Sequence, residues 1–260
     1  MSIDDKSLKF YTAGAKEYAA HVRNPKDSVY HAYYEKPAMY ALLPDLKGKT
    51  VISIGCGSGE DSVHLRRQGA ERSIGIDISD EMIGIAKESY PECEFHVMNM
   101  ENIDFPDSSF DFAYSSLAIH YVQDWSNVFA YVYRILKPGS SFLFSCGHPL
   151  RFAMDENENG EYLTRTLEIR ENTETHEFLI KGDYLSKRKT IDALGKNTAN
   201  TWTMPIGDIA TLATDAGFLI ERLVDPRPLE QLKEIDLQTY NRLNKIPEFL
   251  IFKLRKMQGE

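Results

Sequence analysis

From Thr50 onward, short β-rich runs alternate with segments of helical period, and this rhythm constrains the fold more than any other feature of the chain. The strand candidates are Thr50–Gly55, Arg72–Asp77, Cys93–Met98, Phe110–Ser116 and Ser141–Cys146. Strands that alternate with helices imply βαβ units and a mostly parallel sheet. Trp125, Val128, Phe129, Val132 and Leu136 recur at helical spacing, and Lys137-Pro138-Gly139 supplies the stop. Ser79 is a good N-cap for another helix, whose Ile83, Ala86 and Tyr90 share one face before Pro91. A helix over Asp208–Ala216 ends at Gly217, and the strand candidates Phe218–Val224 and Phe249–Arg255 bring the count to seven. The fold class expected is α/β, with a Rossmann-like, mostly parallel sheet and helices on both faces.

Two regions break the rhythm. Arg151–Asn200 is polar, with weak strand candidates at Tyr162–Arg170 and His176–Leu185, and reads as a lid inserted after strand five. Ser7–Leu46 looks helical and is loaded with tyrosines. The expected organisation is therefore an N-terminal helical segment over 1–48 that closes on the site, a core over 49–147 and 201–260, and a substrate lid over 148–200. With 42% hydrophobic residues in 260, such a core needs no disulfide staples. Cys56, Cys93 and Cys146 are odd in number and lack CxxC spacing, so no disulfide framework and no metal site is expected. The acidic start, with Asp4 and Asp5, and the lack of a long apolar run point to a soluble, cytoplasmic protein with no membrane partner. A net charge of −9 argues against nucleic acid, whose binding relies on many cationic contacts, and favours a small-molecule partner.

The sharpest local signal is Val51-Ile52-Ser53-Ile54-Gly55-Cys56-Gly57-Ser58-Gly59, a strand entering a glycine-rich turn that opens a helix at Glu60. Glycines there permit φ > 0 and let backbone approach a ligand closely, while the helix start offers unpaired N–H groups. The spacing is GxGxG rather than GxGxxG, and Glu60 would repel a pyrophosphate, which disfavours NAD and FAD. The next strand ends at Asp77, the 22nd residue after Gly55, where a carboxylate can accept two ribose hydroxyls. Turn and acid together point to an adenosyl ligand.

With these residues in place, the sequence resembles the class I S-adenosylmethionine-dependent methyltransferases, especially the small-molecule branch that includes the quinone-biosynthesis enzymes. VISIGCGSG, GIDISDEMI, the stretch from Val97 to Trp125 and RILKPGSSFLFS carry the resemblance, over roughly Lys49 to Cys146. It implies a seven-stranded sheet with an antiparallel last strand, S-adenosylmethionine as cofactor and S-adenosylhomocysteine as product. It also implies that the turn Gly55, Cys56, Gly57 and Gly59 lies against the methionine part, that Asp77 holds the ribose and that Ile78 packs on adenine. Asn99, where the family has an acid for the adenine amino group, would bond through its amide, with Met100 as cover. Ser115 and Ser116 would border the methyl-transfer centre. Ser53 departs from the pattern, since the family has Asp or Glu there to order the methionine end.

Methyl transfer from a sulfonium needs chiefly alignment, worth as much as ~7 to 11 kcal/mol, while a base adds about 10² to 10⁴ in rate. His148, directly after strand five, and His120, after strand four, are the candidate bases, with an ordinary pKa of about 6.5. Each also has a reading as a ring bonded to backbone. Tyr18, and Tyr11 seven residues before it, could present aromatic faces to a sulfonium; helix packing is the other reading. Trp202 and Arg170 are acceptor-side candidates in the lid. The expected function is methyl transfer to an O, N or C atom of a small molecule by a monomer or homodimer. A tRNA methyltransferase and a non-catalytic adenosyl-ligand binding or regulatory protein, the latter motivated by Ser53, are the alternatives.

Overall fold

The computed structural model describes residues 12, 14–151, 153, 168–194 and 197–258. Helix α1 (Ala15–Arg23), a π-helical turn (His31–Glu35) and α2 (Lys36–Tyr40) precede the sheet. The βα rhythm then runs through β1 (Thr50–Ile54), α3 (Glu60–Arg67), β2 (Arg72–Asp77), α4 (Asp80–Ser89) and β3 (Glu94–Val97). It continues with β4 (Phe110–Ser115), a 3₁₀ turn (Ile119–Tyr121), α5 (Trp125–Ile135) and β5 (Leu136–Gly147). Two hairpins follow, β6 (Glu168–Asn172) with β7 (Glu177–Lys181), and β8 (Arg188–Leu194) with β9 (Asn197–Thr203). The chain closes with α6 (Ile206–Asp215), β10 (Phe218–Val224), α7 (Leu232–Ile235), α8 (Leu237–Leu243) and β11 (Phe249–Lys256).

The seven strands stand in the order β3-β2-β1-β4-β5-β11-β10, and only β11 runs antiparallel to its neighbours. Ile52 pairs with Ile74 on one side and Ala113 on the other, which fixes the centre. The chain reverses its direction of winding between β1 and β4. In open α/β sheets a ligand crevice forms outside the carboxyl ends of the strands at such a point.

Sheet alternation sends Ile52, Ile54, Phe142 and Phe144 to one face, where Trp125, Val128, Phe129 and Val132 of α5 cover them. Val51, Phe112, Leu143 and Ile251 point the other way, onto Met39 and Leu65. Each fully buried side chain of this size contributes about 1.5–3 kcal/mol relative to exposure. Helix α5 begins at Asp124, whose side chain accepts from the Ser126 N–H, and α4 at Ser79, whose Oγ accepts from Met82 N–H. The expected stop at Lys137-Pro138-Gly139 falls at the opening of β5, immediately after the helix.

The polar segment after β5 carries more structure than its composition suggests. Of the strand candidate Tyr162–Arg170, the residues before Glu168 lie outside the described residues, and β7 sits inside His176–Leu185. Strands β8 and β9, and helices α7 and α8, have no counterpart in the sequence reading. Strand β9 runs past Asn200, the expected end of the lid, and packs against the 3₁₀ turn. In the N-terminal segment Tyr34 is fully buried, its hydroxyl accepting from Glu248 N–H, so this tyrosine packs the core. Tyr11 lies outside the described residues.

Candidate active site

The glycine turn takes the shape its residues dictate: Gly55, Gly57 and Gly59 all hold positive φ, at 66°, 52° and 94°. A Cβ on Gly55 would lie 2.3 Å from the Cβ of Ala118, so the turn and the segment after β4 approach as only glycine allows. A Cβ on Gly57 would meet nothing nearer than Tyr18 Cε1 at 3.9 Å and would instead occupy the adjoining cavity.

That cavity, about 670 Å³ with its solvent-open mouth included, opens at the switch point between β1 and β4. Gly55, Gly57 and Asp77 form its floor, Ile78, Met98, Asn99 and Met100 one wall, and Ser116, Leu117, Ala118, Tyr121 and Val122 the other, with Tyr18 across the turn. Among the described residues Asp77 is its one charged lining residue. Its Oδ2 accepts from the Gly57 N–H at 2.9 Å and its Oδ1 from the Ser79 N–H at 3.0 Å. Burial pushes its pKa up, against those backbone bonds. Each oxygen keeps a further lone pair for a hydroxyl donor. Asn99 Oδ1 accepts from the Glu101 N–H at 3.0 Å, which leaves its NH₂ as the donor offered to a ring nitrogen.

The N-terminal segment is pinned to this turn by charge. Arg23 Nε donates to Glu60 Oε1 at 2.7 Å and its Nη2 to Ser89 Oγ at 3.0 Å, while Ser58 Oγ donates to Glu60 Oε2 at 2.7 Å. Glu60 is therefore not the bare charge the sequence suggests. The disfavour toward a pyrophosphate rests on the missing third glycine instead.

The residues present fit an adenosine-sized ligand carrying an amino-acid tail. A carboxylate at the end of β2 suits a cis-diol, the methionines and Ile78 suit a purine face, and the space at Gly57 is kept clear of side chains. The comparisons agree. The methyltransferase domain family matches residues 52–144. A solved S-adenosylmethionine dependent methyltransferase from Mesorhizobium loti superposes with a TM-score of 0.71 at 26% identity, over 88% of this chain and 99% of that one. Over residues 52–144 the chain carries the methyltransferase domain, and it resembles the class I S-adenosylmethionine-dependent methyltransferases over most of its length.

Among further methyltransferase relatives, a demethylmenaquinone methyltransferase of Listeria welshimeri is 30% identical over 116 residues, 42% of this chain and 49% of that one. The match thus spans about half of that enzyme. An uncharacterised protein of Haemophilus influenzae is 25% identical over 86% of this chain and 87% of its own length. The cofactor of this methyltransferase is S-adenosylmethionine and its product S-adenosylhomocysteine.

Seven of the residues singled out in the sequence for the cofactor line the cavity: Tyr18, Gly55, Gly57, Asp77, Ile78, Asn99 and Met100. Cys56, Gly59 and Ser115 do not. The Cys56 side chain turns the other way and packs with Ile83, Ala86 and Phe95. Gly59 is needed for close packing, since a Cβ there would come within 2.9 Å of Phe95 and 3.0 Å of Tyr90. Ser115 is buried at the end of β4, and its neighbour Ser116 lines the wall.

Neither histidine faces this cavity. His120 is buried, its Nδ1 accepts from the Gly147 N–H at 3.3 Å, and burial pushes its pKa down to about 4. It lines a second, smaller cavity with Thr190, Thr201 and Thr203 of the β8–β9 hairpin. His148 Nδ1 accepts from the Leu150 N–H at 3.1 Å and its Nε2 lies 3.2 Å from Asp225 Oδ1. Burial lowers its pKa and Asp225 opposes that. Of the acceptor-side candidates, Trp202 joins the smaller cavity while Arg170 sits exposed on β6. Met98, Leu117, Ala118, Tyr121 and Val122 were not anticipated. The signal available was their position, immediately after β3 and β4 at the carboxyl edge.

Among the described residues no group of three His, Cys, Asp or Glu could hold a metal ion, and no helix is long and apolar enough to cross a membrane.

Proposed function

We propose that this methyltransferase acts on a small-molecule acceptor, at an O, N or C atom, with the 148–200 insertion as its acceptor-side cover. The observation that carries this reading is the lining of the large cavity: among the described residues Asp77 is its one charged member, and no lysine or arginine faces it. A nucleic-acid acceptor would bring phosphates to a surface with nothing to neutralise them. The net charge of −9 supports the same reading, as does the likeness to a demethylmenaquinone methyltransferase.

The bound cofactor supplies an electrophilic methyl on a good leaving group. The protein's part is alignment. Asp77 and the Gly57 backbone would fix the ribose, Ile78, Met98 and Met100 would clamp the purine, and Asn99 would donate to it. Gly55 and Gly57 would receive the methionine portion, with the Tyr18 ring above. Ser116 and Tyr121 would border the incoming nucleophile. The apolar wall of Leu117, Ala118 and Val122 excludes water from the path, which strengthens every polar contact inside. His120, neutral at pH 7 with Nδ1 already accepting, keeps its proton on Nε2 and serves as a donor to the acceptor side. In-line placement supplies most of the acceleration.

The test is methyl transfer from tritiated S-adenosylmethionine by the whole chain to a panel of small metabolites, with bulk tRNA in parallel. Label is expected in the small-molecule fraction. Label in tRNA alone would replace this reading with the nucleic-acid one, and binding without transfer to either would favour a regulatory protein.

A further inference from the structure

Behind the cavity wall lies a second polar arrangement that none of the steps above uses. Glu35 ends the π-helical turn and is fully buried. Its Oε1 accepts from Ser116 Oγ at 3.0 Å and from Ser145 Oγ at 2.5 Å. Ser145 Oγ in turn accepts from the Leu117 N–H at 3.0 Å. Leu117 holds a left-handed φ of 48°, a strained conformation for this residue that its surroundings must enforce. One carboxylate oxygen thus ties the N-terminal segment to the ends of β4 and β5, at the stretch where Ser116 and Leu117 line the cavity.

The other oxygen, Oε2, is buried without a hydrogen-bond partner. His31 Nδ1 lies 3.7 Å away and carries charge only when protonated. The neighbouring cation, Lys36, bonds to Asp61 at 3.0 Å, whose Oδ1 also accepts from Tyr40 at 2.9 Å, and reaches Glu35 only through space, as the second of the acids that, against burial, push its pKa up. Arg23 is spent on Glu60. Asp77 adds a further acid in the cavity itself. Among the described residues the charges around this end of the site therefore sum to negative. Their reach across it is visible at Tyr18, whose phenol is pushed up first by burial and then by Glu60, Asp61, Asp77 and Glu35.

An unpaired buried carboxylate burdens a fold, and π-helical turns are frequent at functional sites. We propose that Glu35 is a charge-selecting positioning residue: one serine removed from the cavity, its carboxylate favours a ligand with positive charge at the Ser116 end. In this enzyme that ligand is the sulfonium donor, and the one disfavoured is its neutral thioether product. The inference rests on the large cavity being the cofactor site. Through Ser116 and Ser145, Glu35 also holds the strained wall, but that role treats both ligands alike, whereas the charge does not.

S-adenosylmethionine and S-adenosylhomocysteine differ by one methyl and one positive charge, so calorimetric titration of the whole chain with each separates the two roles. Glu35→Gln is expected to weaken sulfonium binding about 5- to 20-fold, the scale of one charge acting across several ångströms of protein, and thioether binding less than about 2-fold. Ser145→Ala, which keeps the charge and loosens the wall, is expected to weaken both together. Equal losses for both ligands in Glu35→Gln, or no loss, would overturn the proposal. Should Glu35→Gln fail to fold, wild-type binding of sinefungin, which bears an ammonium group in place of the methylated sulfur, decides. Tighter binding than S-adenosylhomocysteine supports the selection, and equal binding removes it. If the wild type bound none of the three, the cofactor site itself would fall, and this inference with it.

Discussion

The carboxyl rim of the sheet presents its polar residues in two different ways. On the β1–β2 side, Asp77 is held only by backbone N–H groups and turns its remaining capacity to a cavity. On the β4–β5 side, His148 is engaged at both ring nitrogens, by Leu150 and Asp225, and His120 Nδ1 by Gly147. Both pairs sit where an α/β sheet places its ligands. What separates them is where their capacity faces, Asp77 into the large cavity and His120 into the smaller one by the β8–β9 hairpin, and it makes the first side a recognition surface and the second a support for the acceptor side.

The largest effect that would test this contrast is at Gly55. Gly55→Val combines a positive φ with a collision against Ala118, and is expected to abolish calorimetric cofactor binding and to cost about 2–4 kcal/mol in a urea melt. Wild-type binding by this variant would remove the turn from the site. Next is Asp77→Ala, which deletes the acceptor for two backbone donors and for the ribose. The dissociation constant for S-adenosylmethionine should rise about 100-fold, the scale of losing charge-assisted bonds; a change below about 5-fold would place the ribose elsewhere.

The support side makes a pH prediction. His120 is neutral in the fold, with a pKa near 4, against about 6.5 when unfolded. Between these values the unfolded chain binds the extra proton, so stability rises with pH across the window and is lost as pH falls from about 6.5 toward 4. The loss is on the order of 2–3 kcal/mol. Urea melts of wild type and His120→Gln at pH 7.5 and 4.5 should differ by that increment, and parallel losses would mean that the ring is not buried as described. The smallest effect is expected at His148. With its ring committed to Asp225, His148→Ala should change the methyl-transfer rate less than about 3-fold, whereas a fall of 10² or more would restore it as a base.

Much of this was legible from the residues. Val51, Ile52 and Ile54 read as a strand because both sheet faces are covered there, and Asp77 read as a ligand group because strand and glycine turn fixed its place. Orientation around a turn was not legible. Cys56 and Gly59 stand in the same motif as Gly55 and Gly57 yet pack against Phe95, a distinction that only their contacts make. Glu35 was hidden in a tyrosine-rich helix whose pattern gave no reason for a buried acid. The β8–β9 hairpin was missed because its strands are dominated by threonine, asparagine and charge, although Gly195-Lys196 separates two β-compatible runs. The acid absent at position 53 remains absent, and Ser53 is buried within β1.

The placement of β11 between β5 and β10 has a consequence for the order of assembly on the ribosome. Strand β10 emerges first but has no partner of its own in the sheet except β11. Until β11 arrives, a nascent chain carries β5 with an open edge and β10 without its strand partner. The last join is therefore a pairing across about a hundred residues of sequence, a slow kind of closure. A ribosome that pauses between the two strands holds a chain whose cofactor half is already complete but whose sheet is still open to strangers.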